Sequence, residues 1–444
     1  MIKQEIVNNI LHILLAVSLV FAARLLDVNG PLLAILLLAL FMYLKTQEKL
    51  RVYKKYNVLS LGFLFVIFMG VADFIGAQNL PVFFIPFSVI PMLTAMLLGE
   101  LELSLLLTVA SSAVLGFELH GQQSFPAIMM LISGITSSIL VLQVRRRSQI
   151  IRAGLIVGAV QMVCLMFIEL FRMDFIRYYL VFLANGILCS VVVAGLLPVF
   201  EYMFGVVTNI SLLELSDFNH PILRSMILKA PGTYHHSLVV GNLSEAAAEA
   251  IGANALLARI GSYYHDIGKI QKAEYFSENQ MPMSSKHDEL APSMSKLVIT
   301  NHVKDGTELA RKYRLNNRII DFITEHHGTS LVYYFYRRAL ENSENVPEEE
   351  GFRYSGPKPH SKETAIVLLA DSVEAASRTL KDPSPARMEE LVHKIINNKF
   401  IDMQLDECDL TLRDLENIAE VFIRILSGIY HTRVTYPEKD SEPR

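Results

Sequence analysis

The pattern of apolar and polar positions changes near the middle of the chain. From Asn8 to about Phe204, long apolar runs are separated by short gaps that hold most of the charges. From about Ser211 onward, apolar residues recur at helical spacing among Glu, Asp, Lys, Arg and His. A bilayer-spanning helix needs about 20 mostly apolar residues. Eight segments approach that length, roughly 8–26, 30–45, 58–77, 80–97, 101–118, 125–143, 152–171 and 178–204. The second is short and the last long, so the pattern predicts seven to eight helices across a transmembrane region 1–205. Residues 206–230 follow as a connector, where Leu212, Leu213 and Leu215 suit a short amphipathic helix. Residues 231–435 then form a second domain, and 436–444 a polar tail.

In that second domain the apolar period is helical and β-branched strand-like runs are scarce. Helices are predicted over 234–251, 253–266, 288–304, 306–313, 316–326, 329–341, 362–380, 385–398 and 411–430. The polar, acidic, Pro- and Gly-containing stretch 342–360 is expected to be a loop. The predicted fold class is therefore all-α: a polytopic helical membrane bundle followed by an all-helical domain.

Charge orients the bundle. The gap after the second apolar segment holds Lys45, Lys49, Arg51, Lys54 and Lys55, and the gap after the sixth holds Arg145, Arg146, Arg147 and Arg152. Basic gaps face the cytoplasm, which places the second domain there too. Arg172 and Arg177 in the outer gap run against this trend. The first segment, with Met1-Ile2-Lys3 and Ala22-Ala23, shares features with a cleaved signal peptide. A retained span is preferred, because its removal would leave an odd number of helices and invert the topology. Asp73, Glu118 and Glu169 fall near outer segment ends, where a charge is cheapest to keep; interface placement is expected over a shared acidic site.

Composition narrows the function. Hydrophobic residues make up 52%, as a membrane half requires, and the net charge of −4 gives no basic field for a nucleic-acid polymer. Cys164, Cys189 and Cys408 form neither a disulfide framework nor a CxxC pair. Histidine is the informative residue. His235-His236 open one predicted helix; His265-Asp266 close the next, ahead of Gly268, which suits a helix C-cap. His302 interrupts a third, His326-His327 end a fourth before Gly328, and Asp371 sits deep in an apolar helical run. Polar groups at such places are costly to bury unpartnered, and a metal would supply the partner. Imidazole and carboxylate suit borderline divalent ions such as Fe, Mn, Co or Zn. Adjacent His and Asp point about 100° apart on a helix end, so the histidine can bind one ion while the aspartate bridges to a second. Two ions about 3.5–4 Å apart bind a phosphate together and activate water for hydrolysis. Each piece alone is weak; the ordered set carries the reading.

The set resembles the H…HD…D signature of the HD phosphohydrolase superfamily through His236, His265-Asp266 and Asp371. The local sequences Ala230-Pro231-Gly232-Thr233-Tyr234-His235-His236-Ser237, Tyr264-His265-Asp266-Ile267-Gly268-Lys269, Asn301-His302-Val303-Lys304-Asp305-Gly306, His326-His327-Gly328-Thr329 and Ala370-Asp371-Ser372-Val373-Glu374-Ala375-Ala376-Ser377-Arg378 are similar to those of a narrower group. This is the seven-transmembrane HD (PgpH-type) family of bacterial cyclic di-AMP phosphodiesterases. The resemblance implies a membrane-anchored, metal-dependent phosphodiesterase that opens cyclic di-AMP to linear pApA in second-messenger signalling. It assigns His236, His265, Asp266 and Asp371 to one metal ion, with Asp266 bridging to a second that His302, His326 and His327 complete. Two divalent ions are implied, Mn or Fe. His236 is preferred over His235 because it matches the superfamily's first histidine.

Lys269, three residues after Asp266, is expected to bind phosphate or assist catalysis electrostatically. Arg378 lies about two turns after Asp371 and either reaches substrate phosphate or anchors a neighbouring helix. Thr329 and Tyr333 are candidates to touch a base. The expected partners are a cyclic dinucleotide and the lipid bilayer, with a homodimer and a membrane signalling partner as further expectations. One departure stands out. Family members typically carry a large extracellular domain after the first span, whereas only Asp27-Val28-Asn29-Gly30 separates the first two segments here, so any signal would be read by the bundle or a partner.

Four rivals rank lower. A nucleotide phosphohydrolase acting on free dNTPs leaves the membrane anchor hard to motivate. A cyclic di-GMP phosphodiesterase of the HD-GYP type would carry Gly-Tyr-Pro after its His pair, where this chain has Gly328-Thr329-Ser330-Leu331. A non-hydrolytic nucleotide-sensing HD protein would have lost ligands, yet all seven positions hold ligand-competent side chains. A transporter would show paired broken segments or a mid-membrane charge cluster.

Overall fold

The structure is a computed structural model that describes residues 56–78, 84–118, 125–280, 286–342, 346–380 and 383–430. The two apolar segments predicted over 8–26 and 30–45, and the tail 436–444, lie outside the described residues. The chain divides into two units, Met1–Ser211 and Leu212–Arg444.

The described part of the first unit holds six helices: α1 Tyr56–Ala77, α2 Val89–Leu98, α3 Leu101–Glu118, α4 Phe125–Val141, α5 Arg147–Ile168 and α6 Ile176–Phe204. Polarity is distributed as in a bundle bathed in lipid. Ser104, Thr108, Ser133, Ser138, Gln161 and Asn185 are buried, while Leu155, Phe167, Leu180, Leu188, Val191 and Val199 are exposed. The inner hydroxyls bond across helices or back to their own turns. Ser104 Oγ donates to Pro91 O at 2.8 Å and lies 2.7 Å from Ser138 Oγ; Gln161 Nε2 donates to Ser133 Oγ at 2.5 Å. Such interhelical bonds and small residues replace the hydrophobic drive that lipid does not supply. Among the described residues two helices, α5 and α6, are long and apolar enough to cross a bilayer.

One predicted span is corrected. Over 80–97 the helix runs only Val89–Leu98, after a turn at 84–88. Ten residues rise about 15 Å, half a hydrocarbon core of about 30 Å. Pro86, which cannot donate a backbone hydrogen bond, interrupts the run, and residues Val89 to Leu97 are buried on all sides. This short helix packs inside protein.

Helices α5 and α6 cross with their backbones in contact. A Cβ at Gly186 would stand 2.3 Å from Gly154 O and 2.4 Å from Gly158 N. Gly154 and Gly158 are four residues apart, so one face of α5 is stripped of side chains where α6 crosses. Farther along α6, Pro198 lacks the N–H that would bond Ala194 O. The Arg147 guanidinium stands 3.5 Å from that carbonyl. The buried Glu201 carboxylate then accepts Thr208 N–H at 2.8 Å and Ser211 Oγ–H at 2.7 Å, fixing the start of α7 Asn209–Leu215.

Among its described residues the second unit is helical, apart from one isolated antiparallel bridge between Leu331 and Arg353. After α7, the connector stretch holds a second helix, α8 Pro221–Lys229; the domain proper has α9 Pro231–Ala250, α10 Ala255–Tyr264, α11 Pro292–Lys312, α12 Asn317–Glu325, α13 Tyr333–Asn342, α14 Lys362–Ser377, α15 Pro385–Ile401 and α16 Leu412–Ile429. Pro231, Pro292 and Pro385 each open a helix at its first turn, where the missing N–H costs nothing. Asn254, Ser361 and Thr411 cap three others through side-chain oxygens. Helix α14 is the axis of the unit. Residues Ala365 to Ala370 are fully buried on every side, packed by α9, α10, α12, α15 and α16.

Three helix boundaries differ from expectation. The break predicted at Gly306 is absent, and α11 runs through it. Gly306 is there for contact, since a Cβ would meet Ile323 Cγ2 at 2.9 Å and Gly268 N at 3.2 Å. Gly268 is likewise no helix cap: it lies in a 3-10 segment Ile267–Tyr275, and a Cβ on it would fall 1.9 Å from His302 O. The helix predicted from 329 starts at Tyr333, because Gly328 takes a left-handed φ of +54° and the next residues extend to pair with Phe352–Tyr354.

Candidate active site

Helix ends and one helix interior deliver the site. His236 comes from the second turn of α9, His265-Asp266 from the end of α10, and His302 from the middle of α11. His326-His327 follow α12, and Asp371 extends the buried run of α14. His235 is exposed, so His236 is the one that reaches the cluster.

Two donor sets result: His236, His265, Asp266 and Asp371, and Asp266, His302, His326 and His327, each with ligand atoms within 4.8 Å of one another. Asp266 belongs to both. Its Oδ2 lies 3.2 Å from His265 Nε2 and 3.7 Å from His236 Nε2; its Oδ1 lies 3.3 Å from His302 Nε2 and 3.6 Å from His326 Nε2. Asp371 Oδ1 is 3.0 Å from His236 Nε2, and its Oδ2 is 3.5 Å from His327 Nδ1.

The histidine tautomers point to cations. His265 Nδ1 donates to Ser262 O at 2.6 Å, His302 Nδ1 to Ile299 O at 2.6 Å, and His326 Nδ1 to Phe322 O and Ile323 O at 3.0 Å. With the proton on Nδ1, each Nε2 presents a lone pair to the cluster. His302 Nε2 and His326 Nε2 face each other at 3.2 Å, an arrangement satisfied by a shared proton or by a cation between them. His265 Nε2 and both Asp266 oxygens have no hydrogen-bond partner although fully buried. Lys269 Nζ forms an ion pair with Asp266 Oδ2 at 2.6 Å. Orphaned donors of this chemistry fit two divalent ions, and histidines that give their second nitrogen to a carbonyl or carboxylate are the usual metal ligands.

Electrostatics agree. Burial opposes ionisation of Asp266, but His265 and Lys269 outweigh it and hold the carboxyl well below its usual range. Asp371 is held down in the same sense against burial, chiefly by His236 and His327. Burial lowers His302 to about 4, keeping it neutral. His236 differs: burial works against its charged form, yet bonds to Asp371 and Glu374 lift it to about 9.

Several residues around the sets escaped the sequence reading. Glu374 Oε2 is 2.5 Å from His236 Nδ1; it sits one turn after Asp371 on the same face of α14, a spacing that could have revealed it. Glu278 Oε1 accepts Lys269 Nζ at 2.9 Å and Thr233 Oγ1 at 3.1 Å. The Tyr354 ring stacks on His327 at 4.2 Å and 28°, and it comes from the stretch expected to be loop. Gln404 Oε1 accepts Thr329 N–H at 2.8 Å, and Arg353 bonds Thr329 O and the Asp402 carboxylate, tying down the turn after the His pair. Of the other candidates, Arg378 is paired with Glu374, Thr329 is engaged by Gln404, and Tyr333 is exposed at the start of α13.

A helical domain whose adjacent His and Asp join two such donor sets is an HD domain, and the HD domain family model matches residues 233–376. The preceding region matches the family described as "7TM receptor with intracellular HD hydrolase" over residues 29–208. The chain belongs to this family of seven-span proteins joined to an HD hydrolase domain. Among its relatives, the protein named cyclic-di-AMP phosphodiesterase PgpH from Bacillus subtilis is 46% identical over 317 residues, 70% of this chain and 44% of that one. The protein of the same name from Listeria monocytogenes is 38% identical over 411 residues, 90% of this chain and 57% of that one. The chain thus spans about half the length of these curated relatives. A solved HD domain of L. monocytogenes PgpH in complex with cyclic-di-AMP is 47% identical, covering 49% of this chain and all of that one, with a TM-score of 0.46.

Proposed function

We propose that this protein is a metal-dependent phosphodiesterase of the inner bacterial membrane, with its HD domain in the cytoplasm, that hydrolyses cyclic di-AMP to linear pApA. The observation that carries the reading is the pair of adjoining His/Asp donor sets sharing Asp266, with the Nε2 atoms of His302 and His326 facing each other. The substrate is the one in the names of the two PgpH relatives. The parsing that goes with it is a membrane region to residue 205, a connector to 230, an HD domain to 435 and a polar tail.

His236, His265, Asp266 and Asp371 would hold one ion, and Asp266, His302, His326 and His327 the other; Mn and Fe suit such donors. When bound, the pair supplies electrophilic help to a phosphoryl group and a water of lowered pKa. The chain's own residues do the rest. The carbonyl bonds at Nδ1 fix three imidazoles so that their lone pairs converge without reorganisation. Lys269 places a positive charge beside Asp266, where negative charge grows on the phosphoryl oxygens as water adds. Water oxygen bonds to phosphorus, the P–O3′ bond breaks, the 3′ oxygen takes a proton, and a linear dinucleotide with a 5′-phosphate leaves.

The test is hydrolysis by the full chain in detergent, loaded with Mn or Fe, comparing cyclic di-AMP with cyclic di-GMP. His265→Ala/Asp266→Ala serves as the blank. Conversion of the adenine substrate, absent in the blank, supports the reading. Preference for the guanine substrate would move the assignment to that messenger, and tight binding without turnover by metal-loaded protein would make it a nucleotide sensor.

A further inference from the structure

Three of the four histidines that turn Nε2 to the cluster with Nδ1 engaged are held by backbone carbonyls of the preceding turn, at Ser262, Ile299 and Phe322. Those locks form with the helices themselves. His236 has no such carbonyl. Its Nδ1 meets a side chain from another helix, Glu374 Oε2, 138 residues away in sequence. The other oxygen, Glu374 Oε1, accepts Arg378 Nε at 2.7 Å and lies 2.5 Å from Arg378 Nη2. Glu374 is buried, and the Arg378 side chain is 33% exposed.

We infer that Glu374 and Arg378 are positioning residues for His236, which set the affinity of the first metal ion and leave the second unaffected. The inference rests on the two-ion reading above. A carboxylate on Nδ1 holds the proton on that nitrogen, turns the ring so that Nε2 faces Asp371, and makes the imidazole a stronger donor when Nε2 yields its proton to a metal. Arg378 occupies the oxygen that His236 does not use, so the carboxylate cannot rotate away, and its fork on a carboxylate is a strong charge-assisted contact. Arg378 in this role acts through Glu374 and does not touch substrate. Among the described residues, the histidines of the second donor set meet neighbouring side chains through rings, Tyr354 stacked on His327 and Phe276 edge-on to His302, and Nδ1 of His302 and of His326 is held by backbone carbonyls.

Mn(II) is the probe, titrated into the metal-stripped full chain in detergent, with bound Mn per chain read by mass spectrometry and the coupled pair read by electron paramagnetic resonance. The parent should bind two ions; fewer would fail the two-ion reading itself, before this inference is reached. In Glu374→Gln one ion should need about 10–100-fold more free Mn while the other is unchanged, so an uncoupled Mn signal appears at intermediate concentration. In a His302→Ala background, where only the first set can fill, the shift should persist. A titration superimposing on the parent's, or equal shifts of both ions, would overturn the inference. Should Glu374→Gln lose its cooperative melt, Arg378→Met decides. It should move the same ion in the same direction by a smaller factor with KM for the dinucleotide unchanged. An unmoved Mn curve with a raised KM would make Arg378 a substrate contact and overturn the inference.

Discussion

A methyl group at Gly268 tests whether the site depends on the close passage of α11 over the 3-10 segment. The Cβ of Gly268→Ala would stand 1.9 Å from His302 O and 2.6 Å from Gly306 N, both backbone atoms that no rotamer change can move. Carbon–oxygen contacts settle near 3.3 Å, so α11 must withdraw by roughly 1.4 Å at the residue that carries a ligand. Metal–ligand distances tolerate about 0.2 Å. His302 therefore leaves the second donor set, while His236, His265 and Asp371 keep their places on α9, α10 and α14. Overpacking of this kind costs about 1–3 kcal/mol. The expected result is a folded variant of lower Tm that binds one Mn instead of two, the second weakened by at least about 100-fold, above the range for losing an outer partner. Cyclic dinucleotide hydrolysis should fall with that ion. Metal stoichiometry, thermal melting and turnover on the same preparation check it. A variant with two ions and the parent's Tm would refute the account of why glycine stands there.

Further outcomes follow from the same geometry. Chelation should lower the Tm of the full chain and Mn should restore it, by an amount worth about 2.7 kcal/mol at a hundredfold excess over Kd; a melt indifferent to chelator would count against bound ions. Burial pulls the half-buried Lys399 below its ordinary value of 10.5, so the unfolded chain takes up that proton more readily and the penalty is fully present below the folded value. Lys399→Met should therefore melt higher than the parent at about pH 7, with the gap closing toward about pH 10; a constant gap would exclude a titrating lysine. Gly186→Val places side-chain atoms where α5 backbone already lies 2.3 Å from a Cβ, and should cost at least about 3 kcal/mol of bundle stability, seen as early aggregation on heating in detergent.

The donor residues were readable because metal chemistry restricts residue types: His265-Asp266, His326-His327 and Asp371 each interrupt an apolar run that a structural residue would have continued. His236 could be chosen over His235 only by resemblance; in the structure His236 is buried beside the other donors and His235 is exposed. What sequence patterns missed was contact between backbones. Gly268 and Gly306 read as helix punctuation, yet both mark the passage of α11 over the 3-10 segment. Likewise, Val89–Leu98 is apolar enough to belong to a span, and only its burial on every side separates a short interior helix from a crossing one. Glu374 and Arg378 lie one turn apart, and spacing alone left Arg378 free to reach either substrate or a carboxylate.

The crossing of α5 and α6 has a mechanical consequence. With Gly186 seated against Gly154 and Gly158, the two helices form a doubled beam whose members cannot slide past one another without first parting backbone from backbone. A displacement entering either helix at the crossing is therefore shared by both, and beyond Pro198 the α6 carboxylate of Glu201 grips Thr208 and Ser211. The start of α7 is thus tied by two side-chain bonds to the helix that the glycines lock against α5.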